Sequence, residues 1–287
     1  MKKFLFSAFL ALASLAAQAE TYALMVGISD YPDVLDASGK IAKDEKGSVL
    51  SNDLNGCVND IKSYESILMA KYEVKKDNIK TILDKDANEA GFVKGMEWLL
   101  STAKPGDQVL FFYSGHGTQY KSTKEEDGTE EAIVLADMTL VQGDLFNKIA
   151  QALSKAGMHA AFVFDSCYSG GMSRDEATKP FRGTSALVRK RFLSPNDLKA
   201  MPKSHEFAAA KEAALNGMAK KKAAQGGSYA FVMAGNDKQT TADLTFKDPS
   251  KPAHGLFSLI FIEVLEKFPT LPIGNAVKQI EQVITEN

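Results

Sequence analysis

The chain of 287 residues holds 34 Lys or Arg against 36 Asp or Glu, a formal net charge of −2, with 45% hydrophobic and 24% charged residues. These are globular proportions that exclude disordered, collagenous and coiled-coil readings, and the balanced charge speaks against a nucleic-acid binder. Two cysteines, Cys57 and Cys167, allow at most one bridge and exclude a disulfide scaffold.

Met1-Lys2-Lys3 is a short basic start, residues 4–17 are almost wholly apolar, and Ala17-Gln18-Ala19 has the small-x-small form. This pattern predicts a secretory signal peptide over residues 1–19, cleaved before Glu20. The apolar run falls short of the roughly 20 residues of a membrane span. No twin Arg is present, no Cys follows the run to take a lipid, and no later segment is long and apolar enough to cross a bilayer. The expectation is an exported soluble protein, periplasmic or secreted, with no membrane span after cleavage. Loss of Lys2 and Lys3 leaves the mature chain at −4.

Short runs rich in Val, Ile, Phe and Tyr then alternate with stretches of helical period. Strands are predicted at 22–28, 79–83, 108–113, 132–135, 160–164 and 229–234, and helices around 53–70, 90–102, 144–156, 256–268 and 273–285. Strands that are apolar throughout indicate a sheet covered on both faces. Their alternation with helices indicates an α/β fold with a mostly parallel sheet of about six strands. Such sheets place their sites beyond the carboxyl ends of the strands. Two segments break the rhythm. Residues 33–51 read as a surface loop. Residues 174–222 carry 12 Lys or Arg against 5 Asp or Glu, a local balance of +7, and read as a weakly ordered insertion or linker.

Two strand ends carry chemistry. The strand at 108–113 runs into Ser114-Gly115-His116-Gly117, and the strand at 160–164 runs into Asp165-Ser166-Cys167-Tyr168-Ser169-Gly170-Gly171. Alone, a strand-end His or a buried Cys reads as structural. Two parallel strands that deliver both at the same end fit thiolate attack on a carbonyl, with the imidazole managing protons. Their separation is 51 residues, against about 50 in the caspase signature.

On these motifs the sequence resembles the caspase/metacaspase peptidases. Supporting stretches are Tyr22-Ala23-Leu24-Met25-Val26-Gly27-Ile28, Leu54-Asn55-Gly56-Cys57-Val58-Asn59-Asp60, Ala234-Gly235-Asn236-Asp237-Lys238-Gln239 and His254-Gly255-Leu256-Phe257-Ser258. The resemblance implies a three-layer α/β/α sandwich over residues 20–287, with 174–222 as a basic linker between large- and small-subunit-like parts. It implies His116 as general acid/base, Cys167 as nucleophile, and an oxyanion hole from the backbone N–H groups of Gly117 and Cys167. It also implies that Asp60 and Asp165 line the pocket for the side chain before the cut. Two carboxylates there favour Arg or Lys, where animal caspases read Asp with arginines. Each carboxylate alone also reads as a solvated or capping group.

The match has departures. Tyr168 stands where many metacaspases carry His. Some members are activated by calcium. Here Glu125, Glu126, Asp127, Glu130, Glu131 and Asp137 could supply oxygen ligands, but the spacing is not that of an EF-hand and the stretch reads first as a solvated acidic loop. Arg174 stands where a calcium-binding relative would carry a carboxylate, with Asp175 one place late. The Cys–His chemistry itself requires no cofactor.

The expected partner is a polypeptide with a basic residue before the cut, and no nucleic acid. Arg182-Gly183 and Arg189-Lys190-Arg191 are candidate self-cleavage points, or parts of a solvated linker. Cys57 is a buried small residue or one half of a silencing bridge to Cys167. His159, His205 and His254 have no second catalytic partner in sequence and read as structural. Alternatives to an active metacaspase-like endopeptidase are a silent caspase-like scaffold and a related clostripain- or gingipain-type peptidase.

Overall fold

The computed structural model describes residues 19–36, 38–121, 129–167, 186–193, 226–234 and 241–268. The predicted helix at 273–285, Glu125 to Asp127, Tyr168, Arg174, Arg182, His205 and Gly235 to Gln239 lie outside them. In chain order the strands and helices are β1 (Thr21–Gly27), α1 (Cys57–Lys71), β2 (Ile79–Leu83), α2 (Glu89–Thr102), β3 (Gln108–Ser114), β4 (Gly117–Lys121) and β5 (Thr129–Val134). Then follow β6 (Leu140–Gln142), α3 (Gly143–Lys155), β7 (His159–Asp165), β8 (Ala186–Lys190), β9 (Ser228–Met233), β10 (Ala242–Phe246), β11 (His254–Gly255) and α4 (Leu256–Lys267).

Five strands form the central sheet in the order β2-β1-β3-β7-β9, all parallel. Alternation along each strand sends side chains to opposite faces. Ala23, Met25, Leu110, Phe112 and Val163 pack with Ile61, Tyr64 and Leu68 of α1 and Phe257, Phe261 and Leu265 of α4. Leu24, Val26, Phe111, Phe162 and Phe164 pack on the other face with Phe92 and Leu99 of α2 and Phe146 and Ile149 of α3. Helices on both faces make the three layers and explain why these strands show no polar alternation. Local signals set the ends of the helices. Asn88 caps α2 by accepting the Gly91 N–H at 3.0 Å.

The predicted strand at 132–135 falls in β5, which lies outside the central sheet in an antiparallel sheet of order β4-β5-β6. A short buried run does not encode which partner it takes. Residues 33–51 form exposed turns closed by the bridges Leu35↔Ile41 and Lys43↔Val49, with the Asp36 and Asp44 carboxylates accepting backbone N–H groups at their tips. Within the basic segment 174–222 the described residues are 186–193, where β8 pairs antiparallel with β10 (Asp243↔Arg189, Ala242↔Lys190) in a sheet of order β11-β10-β8. The three adjacent basic residues masked this strand, because its partner lies over fifty residues later in the chain.

Candidate active site

β3 and β7 are neighbours, with Ser114 opposite Asp165, so His116 and Cys167 each follow two residues beyond the paired ends. The His116 ring is buried against Tyr31, ring centres 4.7 Å apart, and the Tyr31 hydroxyl accepts the His116 backbone N–H at 2.9 Å. Nε2 lies 2.6 Å from the Asn52 carbonyl oxygen. A carbonyl only accepts, so Nε2 carries the proton, and Nδ1 is the basic nitrogen. Among the described residues Nδ1 has no hydrogen-bond partner. Burial lowers the His116 pKa to about 4, against the pull of the Asn52 carbonyl and helped by the charge of Arg191. The ring is neutral at pH 7.

Cys167 is fully buried. Its Sγ accepts the Thr241 N–H at 2.7 Å and lies 3.3 Å from both the Thr241 carbonyl oxygen and Oγ1. Burial pushes the thiol above its ordinary range, and the Thr241 hydrogen bonds oppose that shift. Cys57 is a second buried free thiol at the start of α1; no bridge joins the two.

Asp60 and Asp165 meet around Arg191, together with a third acid, Asp243. Arg191 Nη2 donates to Asp60 Oδ2 at 2.8 Å and to Asp243 Oδ1 at 2.9 Å. Nη1 lies 3.1 Å from Asp165 Oδ2 and donates to Ser114 Oγ at 2.6 Å and the Asp165 carbonyl at 3.2 Å. Each acid is fixed from behind. Asp60 Oδ1 faces His254 Nδ1 at 2.8 Å and accepts the Gly255 N–H at 3.1 Å. Asp165 Oδ2 accepts the Ser258 N–H at 3.0 Å and its hydroxyl at 2.6 Å. Asp243 accepts the N–H groups of Asn55 at 2.8 Å and Gly56 at 3.0 Å.

The backbone of Arg191 is placed as tightly as its side chain. Its carbonyl oxygen accepts the Gly117 N–H at 2.8 Å and the Cys167 N–H at 3.2 Å. Two amides converging on one oxygen are an arrangement able to stabilise charge on an acyl oxygen. Close approach requires glycine at two points. A Cβ on Gly117 would lie 2.1 Å from the Cys167 carbonyl oxygen, and one on Gly255 2.1 Å from Asp165 Oδ2 and 2.7 Å from Arg191 Cζ.

Asn52, Ser114, Thr241, Asp243, His254 and Ser258 are site residues that sequence reasoning did not assign. Ser114 was legible as the neighbour of the His motif, and His254 and Ser258 lay in a quoted stretch. Asn52, Thr241 and Asp243 carry no local signal. Of the acids raised for calcium, Glu125, Glu126 and Asp127 lie outside the described residues, while Asp137 accepts the N–H groups of Glu89 at 2.9 Å and Thr139 at 3.1 Å.

A parallel sheet between helical layers, with His and Cys at the carboxyl ends of adjacent strands, defines a caspase-like protein. A crystal structure of a Geobacter sulfurreducens protein aligns with 90% of this chain and 88% of its own, at a TM-score of 0.55 and 20% identity, a likeness of fold. Residues 22–174 match the metacaspase, peptidase C14 domain, and the chain belongs to that family. Metacaspase-1B of Neurospora crassa is 28% identical over 252 residues, covering 75% of this chain and 56% of the relative. Metacaspase-1 of Mycosarcoma maydis is 26% identical over 261 residues, covering 82% and 64%. Metacaspase-6 of Arabidopsis thaliana is 34% identical over 146 residues, covering 48% and 39%. The chain thus spans less than two thirds of these relatives' lengths. Arg191, Thr241 and Asp243 lie beyond the matched stretch.

Proposed function

We propose that the protein is an exported cysteine endopeptidase that cuts after arginine, and that its first substrate is its own Arg191–Phe192 bond. One observation carries this reading. Arg191 has its guanidinium among three carboxylates while its carbonyl receives the N–H groups of Gly117 and Cys167. Side-chain recognition and carbonyl polarisation fall on the same residue, as they must for the residue before a scissile bond.

The chemistry follows from the groups present. Cys167 Sγ turns from Thr241 and bonds to the Arg191 carbonyl carbon, while its proton passes to His116 Nδ1. The carbonyl oxygen takes the negative charge between the two amides. The C–N bond then breaks, the proton on Nδ1 goes to the leaving nitrogen of Phe192, and a thioester remains. Water, deprotonated by Nδ1, releases the Arg191 carboxylate and restores the thiol. Every role is filled by a protein group, so the reaction is expected to proceed in the presence of a chelator. The same assay with added Ca²⁺ tests for activation.

Export is part of the proposal. The Glu20 N–H donates to Asp107 Oδ1 at 2.9 Å. Cleavage before Glu20 would set a new ammonium on that carboxylate and make the bond charge-assisted. Amino-terminal sequencing of protein recovered outside the cytoplasm should begin at Glu20; a start at Met1 would contradict it.

Fluorogenic peptides with Arg, Lys or Asp before the leaving group, in reducing buffer, test the specificity. Arg is expected to be turned over best, then Lys, with Asp inert. Cleavage only after Asp would overturn the pocket assignment, and no turnover of any peptide would favour a silent scaffold.

A further inference from the structure

The chain beyond the proposed cut is held as closely as the chain before it. Phe192 forms a parallel bridge with Gly117. The Leu193 N–H donates to the Gly117 carbonyl at 3.0 Å, and Thr118 Oγ1 donates to the Leu193 carbonyl at 2.8 Å. Leu193 is only 3% exposed and belongs to the core cluster on the α2 and α3 face, while Phe192 remains half-buried. β4 already pairs with β5 on its other edge (Gly117↔Ile133, Thr118↔Ala132). Residues 192–193 therefore add a bridge to the edge of β4, as residues 186–190 pair with β10 on the near side of the cut.

We propose that the edge of β4 at Gly117 and Thr118, held by residues 192–193 before the cut and vacated by them after it, is a binding site for the leaving side of polypeptide substrates, selective for leucine or a similar apolar residue at the second position after the cut. The proposal rests on the reading of Arg191 as the residue before the scissile bond. Gly117 links the two halves of the argument. Its N–H polarises the scissile carbonyl and its C=O holds the residue two places on, so binding at β4 sets the register of the bond at Cys167. In an extended chain neighbouring side chains point to opposite faces. Only one of the first two leaving-side residues can enter the core, and the structure sends Leu193 there. Main-chain pairing supplies affinity for any sequence, and the buried side chain supplies the discrimination.

Internally quenched peptides that share Arg before the bond and Ala after it, with Leu, Met, Ser or Asp at the next position, test this with the self-processed wild-type protein. Leu and Met should exceed Ser and Asp in kcat/KM by about ten- to a hundredfold, the range that burial of one leucine side chain supports. Equal kcat/KM across the set, with cleavage after Arg, would overturn this proposal and leave the reading of Arg191 intact. Cleavage elsewhere than after Arg would remove both. A second arm reads the cut within the chain itself. Leu193→Ser should slow fragment formation about tenfold while Leu193→Met stays near the wild-type rate, with circular dichroism and thermal melts verifying that the uncut variants are folded. Equal processing of the wild-type, Met and Ser forms would also overturn it.

Discussion

Arg191 sits fully buried between Asp60, Asp165 and Asp243, and under the proposed reading its geometry sets which basic residue the pocket prefers. Burial works against the guanidinium charge, but the three acids outweigh it and hold Arg191 charged. Burial, together with the charge of Asp60, raises Asp165 to about 6 against the pull of Arg191 and Ser258. The planar fork serves two sides at once, Nη1 toward Ser114 and Asp165 and Nη2 toward Asp60 and Asp243. A lysine ammonium is a point charge and cannot span both. Asp243→Asn should therefore lower kcat/KM on Arg peptides by about ten- to a hundredfold, the equivalent of one charged hydrogen bond of about 1.5–3 kcal/mol. It should lower Lys peptides less, so the Arg-to-Lys ratio falls; an unchanged ratio would remove Asp243 from recognition. His116 gives a pH prediction at the same scale. Its neutral form is the base, and burial lowers its pKa to about 4. Fewer rings are protonated at any given pH than for a free imidazole. The His116 limb of the rate-against-pH curve should lie near 4, apart from any fall near 6 where Asp165 takes up its proton; an Asp165→Asn variant whose rate still falls around 6.5 would contradict it.

Between the elements, the central sheet presents Cys167 and His116, while the two small sheets hold the chain that passes between them. β10 takes residues 186–190, β4 takes 192–193, and Arg191 bridges the gap. The design depends on backbones approaching without side chains. Gly117→Ala would drive a Cβ into the Cys167 carbonyl and spoil the amide pair, with a loss in kcat of about 10² to 10³ expected from a lost oxyanion donor. Gly255→Ala would intrude on Asp165 and Arg191 and should raise KM for Arg peptides. If steady-state kinetics of either variant matched wild-type, the close packing would have no functional role. This scale also explains what could be read in advance. The central strands and the His and Cys motifs were legible because each is a local pattern, an apolar run ending in a glycine-flanked reactive residue. Asp60 and Asp165 were legible as a pocket only through the family resemblance. Asp243 was not, because β10 reaches the pocket by pairing with β8 inside a segment whose dense positive charge resembles a solvated linker. Asn52 was not, because it acts through a backbone carbonyl that every residue possesses.

At the scale of the molecule, the proposed cut makes the unprocessed protein a latent form, with residues 186–193 held as its first substrate. The same contacts contribute stability. Arg191→Ala would strand three buried carboxylates, a loss of about 3–5 kcal/mol by the cost of breaking a buried pair. A thermal melt at pH 7 should show it. Arg191 holds the Asp165 carboxyl down against burial, so its loss raises that carboxyl further, and the deficit should shrink as pH falls and Asp165 takes up a proton. A deficit that is constant with pH would mean that the loss comes from packing alone. The most direct test of the account is mass spectrometry of the purified chain after incubation under reducing conditions, beside Cys167→Ala. Fragments ending at Arg191 and beginning at Phe192 are expected from the wild-type protein, and an intact chain from the variant. A cut elsewhere in the wild-type protein, or the same fragments from Cys167→Ala, would contradict it.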